Sequence, residues 1–432
     1  MRNRERSIRA ACLCALAGVT LLAAAPALAV GPSEDPDLQS FAAKSYAERY
    51  GVSLEDARLR LEIQDRAAQL SEKLEPKLGS AFGGVWLTGG SRDVIKVGIA
   101  RSASQSAETS AVAQVPIQAA QEGVAEDTSA VGVASSVEEL ENAQAALDLR
   151  LRSLLLANKA RTSLDPSASS LTIEVASALT DAERADVQSA IALSPVQLRV
   201  SDAGTPILTG GGDACDYPFC DRPLRGGVRI GAAGRCTAGF NARGRNVGRA
   251  YVLTAGHCLD DDGGTWFTRN SVGDLHAIGA RQSWNFPGRD AGIIRVADTS
   301  FWQDPPPAPR VFVDSGPNTT VDDNYEITAE TTSDVGEFVC RTSGFSFTTG
   351  EDYTRCGTVT ALNVTAELEP GQTASGLVQT DVCRLQGSSG GPVYKTRLAY
   401  GTHSGGDDAP CKSWYTPATA AENAMNVDII HP

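Results

Sequence analysis

Four histidines occur in the 432 residues, and one of them, His257, has a setting suited to proton transfer. It follows Val252-Leu253-Thr254-Ala255-Gly256 and precedes Cys258. An apolar strand therefore delivers the imidazole at its exit, beside a cysteine able to pin it. A general base needs such rigidity, because it must stay within hydrogen-bond reach of the proton it removes. A second candidate, Ser389, lies in Gly387-Ser388-Ser389-Gly390-Gly391-Pro392. Glycines on both sides of a serine allow a sharp turn and leave room for amides to face a developing oxyanion. Gly387 and Ser389 are the expected donors. In isolation the same run reads equally well as a Gly/Ser linker. The third candidate is Asp290, in Arg289-Asp290-Ala291-Gly292-Ile293-Ile294. A carboxylate entering an apolar strand is costly to bury unless a partner such as a histidine N–H meets it. Alone, Asp290 also reads as a solvated turn residue.

Chain order joins these three signals. His, then Asp, then Ser, each at a strand end, is one of several orders used by serine hydrolases, and no Gly-x-Ser-x-Gly run follows an α/β pattern here. With this order the chain resembles the chymotrypsin-like serine proteases, in the bacterial branch of streptogrisins and α-lytic protease. The resemblance extends to Arg225-Gly226-Gly227-Val228, to Cys236-Thr237-Ala238-Gly239-Phe240-Asn241, and to Val339-Cys340-Arg341-Thr342-Ser343-Gly344 leading to Cys356-Gly357-Thr358-Val359. Thr380-Asp381-Val382-Cys383 and Tyr400-Gly401-Thr402-His403-Ser404-Gly405-Gly406 match as well, so nearly all of residues 206–432 is covered.

The resemblance implies an all-β catalytic domain of two antiparallel six-stranded barrels, preceded by an α+β pro domain. It implies peptide-bond hydrolysis through an acyl-enzyme, with Ser389 as nucleophile, His257 as base and Asp290 orienting His257. His403, Ser404, Gly405 and Gly406 are then substrate-binding residues. The implied disulfides are Cys236–Cys258, Cys340–Cys356 and Cys383–Cys411, with Cys215–Cys220 left as the fourth. Spacing alone chooses none of the many pairings open to these eight cysteines. The implied partners are polypeptide substrates, and a monomer with no metal and no organic cofactor is expected. An imidazole at position 403 favours an acidic substrate side chain. Asp407 and Asp408 oppose that, and an apolar pocket is the alternative. Ser388 stands where most relatives carry an Asp, so activation by insertion of a new N-terminus is not expected. The rival reading is a catalytically inactive protease-fold binding or adhesion module.

The elements that must position these residues divide the chain into two unlike halves. Arg2, Arg4, Arg6 and Arg9, an apolar run over residues 10–25, and Ala27-Leu28-Ala29 predict a cleaved signal peptide over residues 1–29 and secretion to the extracellular space. No later segment is apolar enough to span a membrane. Residues 30–205 lack cysteine and are rich in Ala, Leu, Glu and Arg. Capping patterns at Ser53 and Ser136 predict helices towards Leu78 and Asn158. Strands are predicted around Gly83–Thr88, 93–100, 171–175 and 196–200, with a helix over 181–190 between the last two. The Ala- and Ser-rich stretch 104–130 is predicted to be a loose connection. Phe82-Gly83-Gly84-Val85-Trp86-Leu87 and Val94-Ile95-Lys96-Val97-Gly98-Ile99 resemble strands of the α-lytic-type pro region. This implies that the half acts as an intramolecular folding assistant and is then removed. Residues 202–212 are small and suit proteolysis. In residues 206–432 short apolar runs alternate with turn residues, as in a β-barrel or sandwich. A net charge of -14 without a long Lys/Arg run excludes nucleic acid as a main partner. Asp260-Asp261-Asp262 could hold calcium, but a solvated acidic turn is the expected role.

Overall fold

Helix starts fall where side chains can replace the missing backbone acceptors. In the computed structural model, Ser53 Oγ accepts the amide of Asp56 at 3.0 Å and opens the helix Leu54–Leu78. Ser136 with Glu139, and Thr180 with Glu183, form reciprocal caps at the starts of Val137–Arg150 and Asp181–Ala192. The structure describes residues 40–88, 94–202, 224–231, 236–260, 264–269, 275–302, 310–312, 324–345, 353–407 and 410–432. The predicted signal peptide, the 202–212 connection beyond Asp202, Cys215, Cys220, Asp261, Asp262 and Asp408 lie outside these residues.

Residues 104–130 differ from the expected loose connection. They form the helix Gln105–Gln121 and the start of the strand Thr128–Val133. Ser104 caps the helix, and Ala111, Val115 and Ala119 bury at four-residue spacing. Because the stripe is built of small residues, hydropathy reads it as low complexity, while packing reads it as a helix face. This helix and Leu54–Leu78 cover a three-stranded sheet of Phe82–Thr88, Val94–Ala100 and Thr128–Val133. The strand Ala160–Asp165 was not predicted. Its residues 160–164 are all buried, so the alternation that marks a half-exposed strand is missing.

The second half is strand-rich. One sheet has the order Thr265–Arg269, Leu275–Asn285, Ala291–Arg295, Ala250–Thr254, Phe240–Gly244, Val427–Ile429. Its last strand comes from the extreme C-terminus. In the other sheet, Phe338–Thr342, Pro392–Lys395, Leu398–Asp407, Lys412–Pro417, Gln372–Thr380 and Thr354–Glu369 pair in that order, and pairing of the first with the last closes the ring. This is a chymotrypsin-like β fold.

The two halves share hydrogen bonds and core. Ala160–Asp165 adds to the edge of Thr354–Glu369 and carries Ser170–Val175 and Gln197–Asp202 with it, extending the sheet into the N-terminal half. On another face Tyr46 meets the Phe338 ring edge-on at 5.1 Å, and Gln64 Oε1 accepts the Phe338 amide at 2.9 Å. Residues Pro36–Pro432 consequently form one compact unit. No helix among the described residues is long and apolar enough to cross a membrane.

Candidate active site

The Tyr-Val-Leu-Thr run of Ala250–Thr254 packs as an interior strand between Phe240–Gly244 and Ala291–Arg295. At its exit, Gly256 passes so close to the neighbouring strand that a Cβ would lie 2.9 Å from the backbone of Ala291. Only glycine permits this approach, which brings His257 against Asp290. Asp290 has φ 49°, an unusual value for a residue with a side chain, and sits one residue before Ala291–Arg295. The turn aims its carboxylate back towards the histidine.

His257 Nδ1 and the His257 amide both lie 2.9 Å from Asp290 Oδ1. The carboxylate is fully buried, and its Oδ2 has no hydrogen-bond partner among the described residues. Thr416 Oγ1 donates to the carbonyls of Arg289, at 2.6 Å, and Asp290, at 3.2 Å, fixing the turn from behind. Burial opposes a charged imidazole at His257, but the charge and hydrogen bond of Asp290 outweigh it and raise the pKa above its ordinary value. Phe286 stands edge-on to the ring at 5.8 Å.

Ser389 lies in a turn bounded by Gly387 and Gly390, both at φ 83°. A Cβ on Gly390 would sit 1.9 Å from Thr254 Oγ1, so the glycine brings the serine turn onto the histidine strand. Thr237 donates its amide to Ser389 O at 2.8 Å and its hydroxyl to Gly387 O at 2.8 Å. From the other side, Gly390 donates to His403 O at 2.7 Å and His403 to Gly391 O at 2.8 Å. Ser388 Oγ donates to Leu385 O at 2.6 Å. The serine turn is thus clamped between the two sheets. Neither the Gly387 amide nor the Ser389 amide has a partner among the described residues. Ser389 Oγ makes no hydrogen bond to His257 here. Cys258 Sγ lies 4.0 Å from His257 Nε2 and 3.8 Å from the Ser389 carbonyl oxygen.

The disulfides Cys236–Cys258, Cys340–Cys356 and Cys383–Cys411 join the residues around this site. His403, on Leu398–Asp407, is 2% exposed. Burial, with Arg341 and His257 nearby, holds its pKa well below the ordinary value, so the ring is neutral. Arg341, not singled out from the sequence, lies against this ring, with Nη1 3.1 Å from Nδ1 and 3.0 Å from Nε2. Its Nη2 donates to Cys383 O at 2.8 Å, and burial, followed by repulsion from Arg355, lowers its pKa to about 9. Both side chains line a small cavity with Val339, Val382, Val393 and Tyr415. The sequence signal for Arg341 was a lone charge inside the apolar strand Phe338–Thr342. Ser404 Oγ bonds Thr416 Oγ1 at 3.2 Å, and Gly405 and Gly406 lie opposite Trp414 and Ser413.

No family model matches the chain. Curated relatives do. Serine protease 2 of Streptomyces fradiae is 38% identical over 186 residues, 42% of this chain and 94% of the relative. Streptogrisin-C of Streptomyces griseus is 30% identical over 398 residues, 91% of this chain and 75% of the relative. Glutamyl endopeptidase 2 of Streptomyces griseus is 30% identical over 209 residues, 48% of this chain and 98% of the relative. With its β fold and this similarity over nearly the full length of two relatives, the chain belongs to the streptogrisin branch of the chymotrypsin-like serine proteases and is a serine-type endopeptidase.

Proposed function

We propose that the chain is the precursor of a secreted protease in which Ser389, His257 and Asp290 form the catalytic triad. The observation that carries this reading is the buried Asp290 carboxylate. It accepts two hydrogen bonds from His257 at 2.9 Å, with the serine turn held on the same strands. A carboxylate on Nδ1 fixes the tautomer that presents Nε2 as a base and stabilises the imidazolium once the proton arrives. His257 takes the Ser389 proton as Oγ attacks the peptide carbonyl. The Gly387 and Ser389 amides receive the oxyanion, and water then hydrolyses the acyl-enzyme by the same proton path. The Ser389–His257 hydrogen bond belongs to a contact that commonly tightens only when substrate is bound.

Residues 30–205 act as a pro region in this reading. They supply a strand to Thr354–Glu369, which is part of a closed ring of non-local pairings that folds slowly by itself. Cleavage after Asp202 and before the first barrel strand releases the mature enzyme. For the substrate side chain we propose an acidic residue, received by hydrogen bonds from neutral His403 and by Arg341 beside it. One relative is named a glutamyl endopeptidase, which agrees with that choice.

The test is covalent labelling of the secreted, processed chain with a fluorophosphonate probe. Labelling in the parent and none in Ser389→Ala is expected. Labelling that survives Ser389→Ala, or a processed parent that takes no label, overturns the assignment. Cleavage profiling with no preference for Glu or Asp removes the acidic pocket.

A further inference from the structure

Two ion pairs face one another where the N-terminal strands meet the barrel. Arg161 and Glu174 are directly opposite on Ala160–Asp165 and Ser170–Val175, and Asp407 and Lys412 are directly opposite on Leu398–Asp407 and Lys412–Pro417. The signs cross: Arg161 Nη1 lies 2.5 Å from Asp407 Oδ2, and Lys412 Nζ pairs with Glu174 Oε1. Side-chain exposure is 2% for Arg161 and 1% for Asp407. The guanidinium also lies over the ring of Trp414, 4.8 Å from its centroid, and Trp414 is fully buried.

One oxygen of this carboxylate is unused. Asp407 Oδ1 is buried and accepts no hydrogen bond among the described residues. A guanidinium placed without the constraint of the Ala160–Asp165 backbone can engage both oxygens in parallel while stacking on the indole, which an ammonium cannot do. Asp407 directly follows His403-Ser404-Gly405-Gly406 on one strand, so the carboxylate stands at the end of the proposed substrate-binding stretch.

We infer that Asp407 and Trp414 form a subsite for an arginine side chain of a polypeptide substrate, and that Arg161 fills this subsite in the precursor. The inference rests on the proposed release of the N-terminal half, which vacates the site. Burial in the precursor pushes the Asp407 carboxyl up, and Arg161 opposes that push, so release of Arg161 leaves the acid without this cation. Lys412 is the internal competitor. It pairs with Glu174 in the precursor and loses that partner on release.

The experiment uses the processed enzyme obtained by secreting the full chain, with fluorogenic peptides that carry arginine or citrulline at each position in turn. Citrulline keeps the shape and removes the charge. At one position away from the residue preceding the cut, kcat/KM should be about tenfold or more higher for arginine, with lysine in between. Asp407→Asn should bring the ratio close to unity at that position. Should this variant fail to accumulate because Arg161 is stranded, it is made together with Arg161→Met. The parent comparison needs no variant at all. If arginine and citrulline peptides are cleaved alike at every position, Lys412 has closed the site and the inference is overturned, with the protease reading intact. A preference that persists in the Asp407→Asn enzyme overturns it too. A processed chain that cleaves no peptide overturns both.

Discussion

Lys395 offers the sharpest test of how the two halves hold together. Its ammonium is fully buried, 2.9 Å from Asp65 Oδ1 in the N-terminal half and 3.3 Å from Glu337 Oε1 in the barrel. Tyr400 also donates to Glu337 Oε1 at 3.0 Å, and Glu337 Oε2 accepts the Asp334 amide at 2.8 Å. Lys395→Met leaves two carboxylates facing a dry site. Breaking a buried pair by removing one partner costs about 3–5 kcal/mol. Asp65 is 20% exposed and can rehydrate, which places the expected loss near the lower end, about 3 kcal/mol. Burial raises the Glu337 pKa, and burial with the neighbouring Glu337 charge raises that of Asp334. An acid whose folded pKa is raised stabilises the fold below its unfolded pKa and loses that contribution as pH rises through the folded value. Removing the Lys395 charge raises Glu337 further. The cost of Lys395→Met should therefore be larger at pH 8 than at pH 5. Urea unfolding of the full chain carrying Ser389→Ala, followed by tryptophan fluorescence, measures both. Adding Glu337→Gln should recover about half of the loss at pH 8 by removing the stranded charge, the carboxamide oxygen accepting the Asp334 amide and its NH2 donating to the Tyr400 hydroxyl oxygen. A loss below about 1 kcal/mol, or equal losses at the two pH values, would refute the reasoning.

Three further outcomes are expected. Because Asp290 raises the His257 pKa, the acid limb of kcat/KM should fall above the ordinary histidine value of 6.5, since only the neutral ring can take the serine proton. A pH-rate profile with the limb below that value contradicts the Asp290 contact. The same shift makes the His257–Asp290 pair stabilising below the unfolded histidine pKa, a contribution lost as pH rises through the folded value, which proton release on unfolding would reveal. Gly390→Ala should abolish probe labelling of Ser389 and lower secreted yield, because its Cβ would meet Thr254 Oγ1 at 1.9 Å at a positive φ. Tyr46→Ala should destabilise the precursor by about 3 kcal/mol through loss of a buried ring on Phe338, read as a shift in the urea midpoint.

The sequence by itself determined features that depend on near neighbours. Caps at Ser53 and Ser136 are local hydrogen bonds, so these helix starts were legible from residues three apart. The contact of His257 with Asp290 was legible because an apolar strand ending in Gly256-His257 and an acid at the head of another strand leave each side chain one inexpensive partner. Tertiary structure decided what depends on burial from both sides. Ala160–Asp165 reads as polar because Arg161 finds its partner in a distant strand and Thr162 finds its partners in the helix Val137–Arg150, and the apolar side chains buried by the helix Gln105–Gln121 are small. His403 was visible as a rare residue, but its neutral state required the burial and the Arg341 guanidinium that folding places beside it. Asp407 read as an opponent of acidic ligands. Only the packed structure pairs it with Arg161, because a charge takes its meaning in a dry interior from the partner that shares its desolvation.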